Sequence, residues 1–337
     1  MAKKGIVLTG DRPTGKLHLG HFVGSIKSRL SLQDEYEQFI MVADMQALTD
    51  NADNPEKVRN SVFEVVLDNI AAGLDPAKTH FFIQSRIPEI ASLNMLFQNL
   101  ITYGRLMQNP TVKTEMKDKQ YEGNVPVGFL TYPISQAADI LAFKLDLVPV
   151  GNDQLPMIEL TNEVVEKFNR IYGDTFQKVK AISADKNSAE ARLPGIDGSA
   201  KMGKSLNNAI YLSDTEEVVQ EKIMNMYTDP DHVHVEDPGR VGGNVVFTYL
   251  DVFDQDKESL ANLKEKYKAG GLGDVEIKKR LIKVINDFLD PIRERREHLS
   301  TKPDFIKDVV KEGEEVARRV VQATYKEVTE AMGINYY

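Results

Sequence analysis

The sequence contains neither cysteine nor tryptophan among its 337 residues. The lack of cysteine excludes disulfide bonds and thiolate–zinc sites, whereas the lack of tryptophan says nothing about a substrate. The apolar run near the start, Ile6-Val7-Leu8, is too short for a signal-peptide core or a membrane span. We therefore expect a cytoplasmic protein without a membrane segment.

The protein has fewer basic than acidic residues. Lysine and arginine total 42 against 51 aspartates and glutamates, which gives a net charge of −9. A protein that coats nucleic acid over its whole surface would be basic. RNA binding needs only a local basic face, so the charge limits the size of an RNA footprint without excluding one. The length predicts about two domains.

Strand-like and helix-like segments alternate in the first half of the chain. This alternation predicts an α/β fold, a doubly wound parallel sheet of the Rossmann type over residues 1–185. Ligands of such sheets bind beyond the carboxyl ends of the strands. The predicted strands are Gly5–Gly10, Phe39–Ala43, Thr79–Gln84 and Asp146–Val150, and the predicted helices are Leu19–Gln33, Pro55–Gly73, Ile87–Tyr103, Ile134–Phe143 and Leu155–Tyr172.

The character of the sequence changes near residue 175. A stretch rich in Gly, Ser, Lys and Asp, Lys186–Leu206, predicts a loop region, and charged amphipathic helices dominate from Thr215 onward. We therefore expect a smaller, mostly helical second domain over residues 186–337, whose last helix packs back on the first domain.

The segment Gly10–Leu17 nearly matches the phosphate-binding P-loop, G-x-x-x-x-G-K-[ST]. It follows a predicted strand and precedes a helix, as a P-loop does. Leu17 stands where the hydroxyl that holds magnesium is needed, which argues against a P-loop nucleotide switch.

A second motif overlaps the first. His18 and His21 are three residues apart, so they share a face in the first turn of the next helix. A helix N-terminus carries free N–H groups and positive partial charge, and two imidazoles there could hold nucleotide phosphates. Gly20 leaves room for a planar base. The alternative is that the histidines cap or pack locally.

A third motif lies in the loop region. Lys201-Met202-Gly203-Lys204-Ser205 places two lysines three residues apart around a glycine, an arrangement that could close over a polyphosphate. The alternative is a solvated basic loop, which is the usual role of such a cluster.

Together, the two motifs resemble class I aminoacyl-tRNA synthetases, which carry a HIGH-type signature after the first strand and a KMSKS-type loop after the sheet. Here the signatures are His18-Leu19-Gly20-His21 and Lys201-Met202-Gly203-Lys204-Ser205. The middle of the chain is similar to the amino-acid pocket of bacterial tryptophanyl-tRNA synthetases. The segments that carry this likeness are Ala43–Thr49, Phe82–Ser85, Phe129–Leu141 and Val148–Gln154.

The resemblance implies a homodimeric ligase that uses ATP and Mg²⁺ to attach L-tryptophan to tRNA(Trp), with an anticodon-binding region after residue 186 and no metal ligands from the protein. It implies catalytic roles for His18, His21, Lys201 and Lys204. The residues implied for ATP are Arg12, Pro13, Thr14, Gly20, His21, Gly151, Asn152, Asp153, Leu193, Lys201, Met202, Gly203, Lys204 and Ser205. Those implied for tryptophan are Leu8, Gln46, Tyr132, Gln136, Asp139 and Gln154.

Asp139 lies in an otherwise apolar helical stretch, where an ionised carboxylate needs a partner. The indole N–H can only donate and a carboxylate can only accept, so the two suit each other. A structural salt bridge is the alternative. By resemblance, Tyr132 and Gln154 hold the substrate ammonium, and Gly151 and Asp153 meet the ribose, although packing and a tight turn would explain the same residues. Tyr132 precedes Pro133, which favours an extended backbone just before the helix.

The sequence departs from common family patterns at Leu8, Gln46, Gln136 and Gly203, which stand where some relatives have aromatic residues, His, Met and Ser. We further expect Lys113 or Lys117, in a loop after Pro110, to add positive charge. The His232–His234 stretch is interpreted as a linker turn and not as a metal site.

Two surfaces suggest partners. Basic residues gather late in the chain on helices, where a solvated face and an RNA contact are both consistent with the pattern. The segment Ile87–Leu106 has more apolar residues than one helix stripe needs. Such a surface predicts a dimer interface or, equally, a helix buried in the monomer core.

Overall fold

Parallel strands joined by helices form the first half of the protein. The computed structural model describes residues 3–121, 123–145, 147–151, 154–183, 193–199 and 202–336. The strands are β1 (Ile6–Asp11), β2 (Glu37–Val42), β3 (Thr79–Ile83), β4 (Leu147–Val150) and β5 (Lys180–Ser183). The α-helices are α1 (Leu19–His21), α2 (Lys27–Leu32), α3 (Asp44–Leu48), α4 (Pro55–Ala71), α5 (Pro88–Gln98), α6 (Tyr103–Gln108), α7 (Pro110–Asp118), α8 (Val127–Ala142), α9 (Leu155–Tyr172), α10 (Glu216–Met224), α11 (Val245–Phe253), α12 (Lys257–Ala269), α13 (Asp274–Ser300) and α14 (Pro303–Ala331).

The order of the strands creates a crevice. β1 pairs in parallel with β2, β2 with β3, and β4 with β5. Because β4 packs beside β1, the spatial order is β3-β2-β1-β4-β5. The chain reverses its winding direction between β1 and β4, and ligands of such sheets bind beyond the strand ends at this point. The predicted α/β fold with a parallel sheet is therefore confirmed.

Helix α8 begins earlier than the sequence indicates. The prediction that Tyr132 is extended and that the helix starts at Ile134 is wrong, because the helix runs from Val127 and contains Pro133. A proline inside a helix removes the hydrogen bond to the carbonyl four residues earlier, and its ring crowds that carbonyl. Pro133 is buried with the apolar face of this helix. Packing thus outweighs the local preference of the residue before proline.

Two other boundaries differ from the prediction. The segment expected as one helix over Ile87–Tyr103 breaks after Gln98, and a new helix starts at Tyr103 because the Thr102 side chain accepts a hydrogen bond from Arg105 N at 3.3 Å. Strand β5 was not predicted, since Lys180-Ala-Ile-Ser is short and lacks a clear alternation. Its ladder with β4 is what defines it.

The last helix closes the outer edge of the sheet. α14 packs on β3. Its apolar residues belong to two buried clusters, one shared with α5 and α8 and the other shared with α4. The approach is so close that a Cβ at Gly313 would lie 2.0 Å from the Phe81 carbonyl oxygen. The edge strand, which would otherwise expose unpaired backbone groups, is covered by a segment far along the chain.

The remaining helices form a second apolar cluster with the first signature. Leu17 and Leu19 are fully buried together with side chains of α10, α11 and α13. Helix α13 also packs against α4. None of the helices in the described ranges is long and apolar enough to span a membrane.

Candidate active site

A cavity of about 560 Å³ opens where β1 and β4 end. Apolar side chains, among them Met41, Phe129, Ile140 and Val148, form much of its wall. The cavity also brings together the whole set of side chains that the sequence predicts for the amino acid: Leu8, Gln46, Tyr132, Gln136, Asp139 and Gln154. These residues come from four separate segments of the chain, and the sheet brings them to one place.

Asp139 is the buried carboxyl group of this cavity, 2% exposed on α8. Its oxygens accept hydrogen bonds from two amides, from Gln84 Nε2 to Oδ1 at 2.8 Å and from Gln46 Nε2 to Oδ2 at 3.1 Å. Burial raises the pKa of Asp139 to about 8, and the bond from Gln84 opposes that rise. Among the described residues, the partners of this carboxyl are therefore neutral amides and not the cation of a salt bridge.

Gln84 belongs to the segment Phe82–Ser85 that resembles the amino-acid pocket, but the sequence did not single it out as a site residue. It follows the carboxyl end of β3 and is 2% exposed. Its Oε1 accepts a hydrogen bond from Gln46 N at 3.2 Å while its Nε2 donates to Asp139. A buried polar residue directly after a parallel strand is the available signal, because such positions face the ligand edge of the sheet. The Gln84 amide therefore orients the Asp139 carboxyl group and holds the backbone of Gln46.

Other residues that line the cavity hold polar groups suited to an ammonium. Gln136 Nε2 donates to Gln154 Oε1 at 3.3 Å. Burial raises the pKa of the Tyr132 hydroxyl well above its usual range, and the nearby Glu115 carboxylate adds to the effect. Tyr132 is therefore neutral at any physiological pH and offers a lone pair as well as a proton.

At the rim of the cavity, Asp50 pairs with Arg12 and lies 2.5 Å from Lys119 Nζ. Burial opposes ionisation of Asp50, but hydrogen bonds from Lys119 and Arg12 hold its pKa below the usual value. The positive charge here comes from Lys119 and Arg12. Lys113 and Lys117 were expected in a loop but lie exposed on α7, away from the cavity lining.

The two histidines of the first signature are neutral. His18 N donates to His21 Nδ1 at 3.1 Å, and the ring centroids are 3.8 Å apart. Burial lowers the pKa of His18 to about 2 and that of His21 to about 4, and Lys204 lowers both further. Because His21 Nδ1 accepts a hydrogen bond, its proton lies on Nε2. The His21 ring is therefore a hydrogen-bond donor without a full positive charge.

Lys204 approaches the first signature from the second. Its Nζ donates to the Gly15 carbonyl at 2.6 Å. Burial lowers the pKa of Lys204 to about 8, which Asp11 and Asp68 oppose. Lys204 also lines a depression of about 530 Å³ with Thr14, Lys16 and Lys57. The two signatures thus meet, and a cationic amine lies beside a basic depression.

The end of β1 is pinned by a buried ion pair. Asp11 Oδ2 lies 2.5 Å from Arg29 NH1, and Asn69 Nδ2 donates to the same oxygen at 3.0 Å. Burial opposes ionisation of Asp11, but Arg29 outweighs it and lowers the pKa to about 2. This network fixes the strand end from which the loop with Arg12 leaves.

The other predicted nucleotide contacts lie in different surroundings. Gly151 lines the cavity, and Pro13, Leu193 and Met202 are buried. A Cβ at Gly20 would lie 2.9 Å from the His18 ring and 3.3 Å from Met202 Sδ, so a glycine here lets His18 and Met202 pack closely on the backbone. Gly203 N donates a hydrogen bond to Asn208 Oδ1 at 2.9 Å. Asn152, Asp153, Lys201 and the side chain of Ser205 lie outside the described residues.

The His232–His234 stretch forms part of a turn. His232 Nδ1 lies 3.2 Å from Asp274 Oδ1, and His234 N donates to Asp237 Oδ2 at 2.7 Å. Within the described ranges, no cluster of three or more His, Asp or Glu side chains could hold a metal ion.

The chain is similar to known proteins along its whole length. A family model described as tRNA synthetases class I (W and Y) matches residues 2–290. A tryptophan–tRNA ligase of Clostridium longisporum is 54% identical over 100% of this chain and 99% of that protein, and one from Lactococcus lactis is 52% identical over 99% of each. The fold matches a Campylobacter jejuni tryptophanyl-tRNA synthetase, solved with ADP and tryptophan, at a TM-score of 0.84 and 28% identity over 97% of this chain and 99% of that one.

These matches agree with the sequence signatures and with the place of the cavity. They cover both signatures and the segments that form the cavity wall. The resemblance predicted from the sequence is therefore confirmed, and the chain belongs to the class I tRNA synthetases of the tryptophan and tyrosine family.

Proposed function

We propose that this chain is a tryptophan–tRNA ligase, which activates L-tryptophan with ATP and transfers it to tRNA(Trp). Relatives of about half identity over the full length carry this activity in their names. The observation that supports tryptophan as the amino acid is Asp139, a buried carboxyl held by two amides in a cavity with apolar walls.

The chemistry of Asp139 suits an indole. Gln46 and Gln84 each donate to one oxygen of the carboxyl group, and a lone pair that remains, in the protonated as well as the ionised form, can accept the indole N–H. A site built to accept this hydrogen bond rejects phenylalanine, which would leave the buried acceptor unpaired. Tyrosine would require partners for a hydroxyl that both donates and accepts. We therefore favour tryptophan over tyrosine.

In the first step, a carboxylate oxygen of tryptophan attacks the α-phosphorus of ATP. The bond from that phosphorus to the bridging oxygen breaks, and pyrophosphate leaves as tryptophanyl-adenylate forms. The nucleophile is already ionised, so no general base is required. Catalysis therefore depends on positioning and on stabilisation of the charge that develops on the phosphates.

In the second step, a hydroxyl of the terminal ribose of the tRNA attacks the acyl carbon. The ester forms, AMP leaves, and the hydroxyl proton is released.

The signatures would supply the charge stabilisation. We assign Lys204, as a cation close to Gly15, and His21, as a neutral N–H donor, to the phosphates, together with His18 and Lys201. Thr14, Gly20 and Met202 would surround the nucleotide, with Arg12 at the rim of the cavity. Mg²⁺ would enter as the ATP complex, because this ion is commonly held by substrate phosphates and water with few protein ligands.

The partners follow from the proposed activity. We assign the helical region after residue 186 to anticodon binding, the assembly to a homodimer and the location to the cytoplasm. These assignments stay predictions.

Amino-acid-dependent exchange of labelled pyrophosphate into ATP tests the proposal directly. Each of the twenty amino acids is supplied in turn, and we expect exchange with tryptophan alone. Pyrophosphate exchange that depends on tyrosine would instead indicate a tyrosine–tRNA ligase, the other member of the family. No exchange with any amino acid, from protein that binds ATP, would contradict a ligase. Esterification of tRNA(Trp) by labelled tryptophan then tests the second step.

A further inference from the structure

The backbone of the first signature is held by a buried carboxylate outside the cavity. Leu17 N, directly before His18, donates to Asp68 Oδ2 at 2.8 Å. Asp68 lies on α4 and is 0% exposed. It is absent from the described residues that line the cavity and the basic depression. Its contact is therefore with the signature and not with a substrate.

The same carboxylate reaches into the helical half of the protein. Arg296, on α13, donates from Nε to Asp68 Oδ1 at 2.7 Å and also pairs with Glu64. Burial raises the pKa of Asp68, and the bonds from Arg296 and Leu17 N oppose that rise. Loss of the arginine would leave a buried, unpaired carboxylate, which is costly.

A second attachment lies on the other side of the signature. Leu19 N donates to the Ile210 carbonyl at 2.9 Å, and Leu212 N donates to the Leu17 carbonyl at 3.0 Å. The segment 210–212 lies shortly after the second signature, separated from it by residues 206–209, and α10, which comes next along the chain, packs against α13. The first signature is thus clamped between α4 and the helical region.

Resting on the proposed function, we infer that Asp68 and Arg296 are positioning residues for adenylate formation. They fix the backbone of Leu17 and His18 relative to α13, so that the position of the helical region sets the position of the signature histidines. The groups that stabilise the phosphates must be aligned closely in the transition state, and a displacement of about 1 Å can cost roughly a hundredfold in rate.

Arg295 offers a matched control. It precedes Arg296 on α13 and also joins this helix to α4, with its Nε donating to the Ala71 carbonyl at 2.6 Å. It does not reach Asp68. Replacement of Arg295 therefore removes a contact between α13 and α4 of similar kind and leaves the link to Leu17 intact.

The test compares Arg296→Gln with Arg295→Gln. Two quantities are measured on each: the single-turnover rate of adenylate formation at saturating ATP and tryptophan, and the affinity for tryptophan without ATP. We expect Arg296→Gln to lower the rate by roughly tenfold or more and to change the affinity by less than about twofold. Arg295→Gln should leave both close to the parent values, and Arg296→Lys should restore part of the rate.

Equal rate losses in the two variants would overturn the inference, as would a loss of tryptophan affinity that matches the loss of rate. Should Arg296→Gln not fold, the double variant Asp68→Asn, Arg296→Gln replaces it, because it leaves no buried unpaired charge. A parent rate in that variant would likewise refute a positioning role. Tryptophan-dependent exchange of pyrophosphate into ATP by the parent protein tests the proposed function separately.

Discussion

Gln84 Nε2 lies 2.8 Å from Asp139 Oδ1 and donates a hydrogen bond to it. This bond joins the residue after β3 to the last turn of α8, and the same glutamine accepts from Gln46 N. The acceptor proposed for the indole is therefore oriented by a residue that need not touch the substrate. Specificity in this cavity depends on how the carboxyl is held as well as on its presence.

The first prediction concerns Gln84. Gln84→Met removes the donor at similar size and should weaken tryptophan binding by about 1 kcal/mol, roughly fivefold. Because the chain has no tryptophan, the fluorescence of the bound amino acid reports binding without an indole background. Gln38→Met is the matched control, since Gln38 is also buried but bonds to Thr79 on the neighbouring strand. Equal losses in both variants would count against Gln84 as an orienting residue.

The second prediction concerns Asp139 itself. Asp139→Asn keeps the size but replaces one acceptor with a donor, so above about pH 8, where the carboxyl group is ionised, it should weaken tryptophan activation by roughly 1–3 kcal/mol, typical of a hydrogen bond to a charged group. Tryptophan-dependent pyrophosphate exchange measures the effect as kcat/KM. A folded variant with unchanged exchange would remove Asp139 from the site.

The third prediction concerns stability and pH in the ligand-free protein. Burial raises the pKa of Asp139 from 3.8 to about 8, so between these values the folded state holds a proton that the unfolded state has lost. The contribution of Asp139 to the free energy of unfolding is full below the lower pKa and declines as the pH rises toward the upper one. In urea unfolding across this range, the free energy of unfolding of the parent relative to that of Asp139→Asn should decline as the pH rises, because the other titratable groups are common to both proteins. Parallel profiles would contradict the pKa shift.

The fourth prediction concerns the second signature. Lys204→Ala should lower the single-turnover rate of adenylate formation far more than it lowers tryptophan affinity without ATP, because the charge acts on the phosphates in the transition state. Lys283→Ala, at an exposed ion pair on α13, serves as the control for loss of one charge. Adenylate formation at the parent rate would exclude Lys204 from catalysis.

The fifth prediction concerns assembly. Most apolar residues of the Ile87–Leu106 segment are buried in the core, including Leu93, Phe97 and Leu100. Met95 and Tyr103 remain 64% and 68% exposed, so Met95→Glu is the substitution that can break a dimer without unfolding the chain. Sedimentation equilibrium should give twice the 37.9 kDa of one chain for the parent and a single chain for the variant. A parent of 37.9 kDa would exclude the dimer, and a dimeric variant would place the interface elsewhere.

Local patterns were sufficient for the parts of the fold and site that depend on neighbours in sequence. The strand before the first signature, the helix Leu155–Tyr172 and the acceptor Asp139 follow from apolar periodicity and from the chemistry of one buried acid. The start of α8 could not be predicted in this way, because the local effect of Pro133 is overcome by tertiary packing.

Long-range contacts account for the rest. The role of Gln84 depends on a partner 55 residues away, and the link from Leu17 through Asp68 reaches Arg296 on a helix that shares no local pattern with it. Strand β5 is defined by its pairing with β4. None of these relationships leaves a periodic signal in a single sequence.

The closure of the sheet by α14 has a consequence for the order of synthesis. The groups that complete both faces of the sheet beside β3 come from a 29-residue helix near the end of the chain. A growing chain on the ribosome can form β1, β2 and β3 long before Gly313 is available to cover Phe81. During that interval the backbone of β3 can pair with other chains. The contacts of α14 that cover β3 join residues far apart in sequence, and such contacts form slowly. The core around β3 is therefore sealed only after α14 has been synthesised.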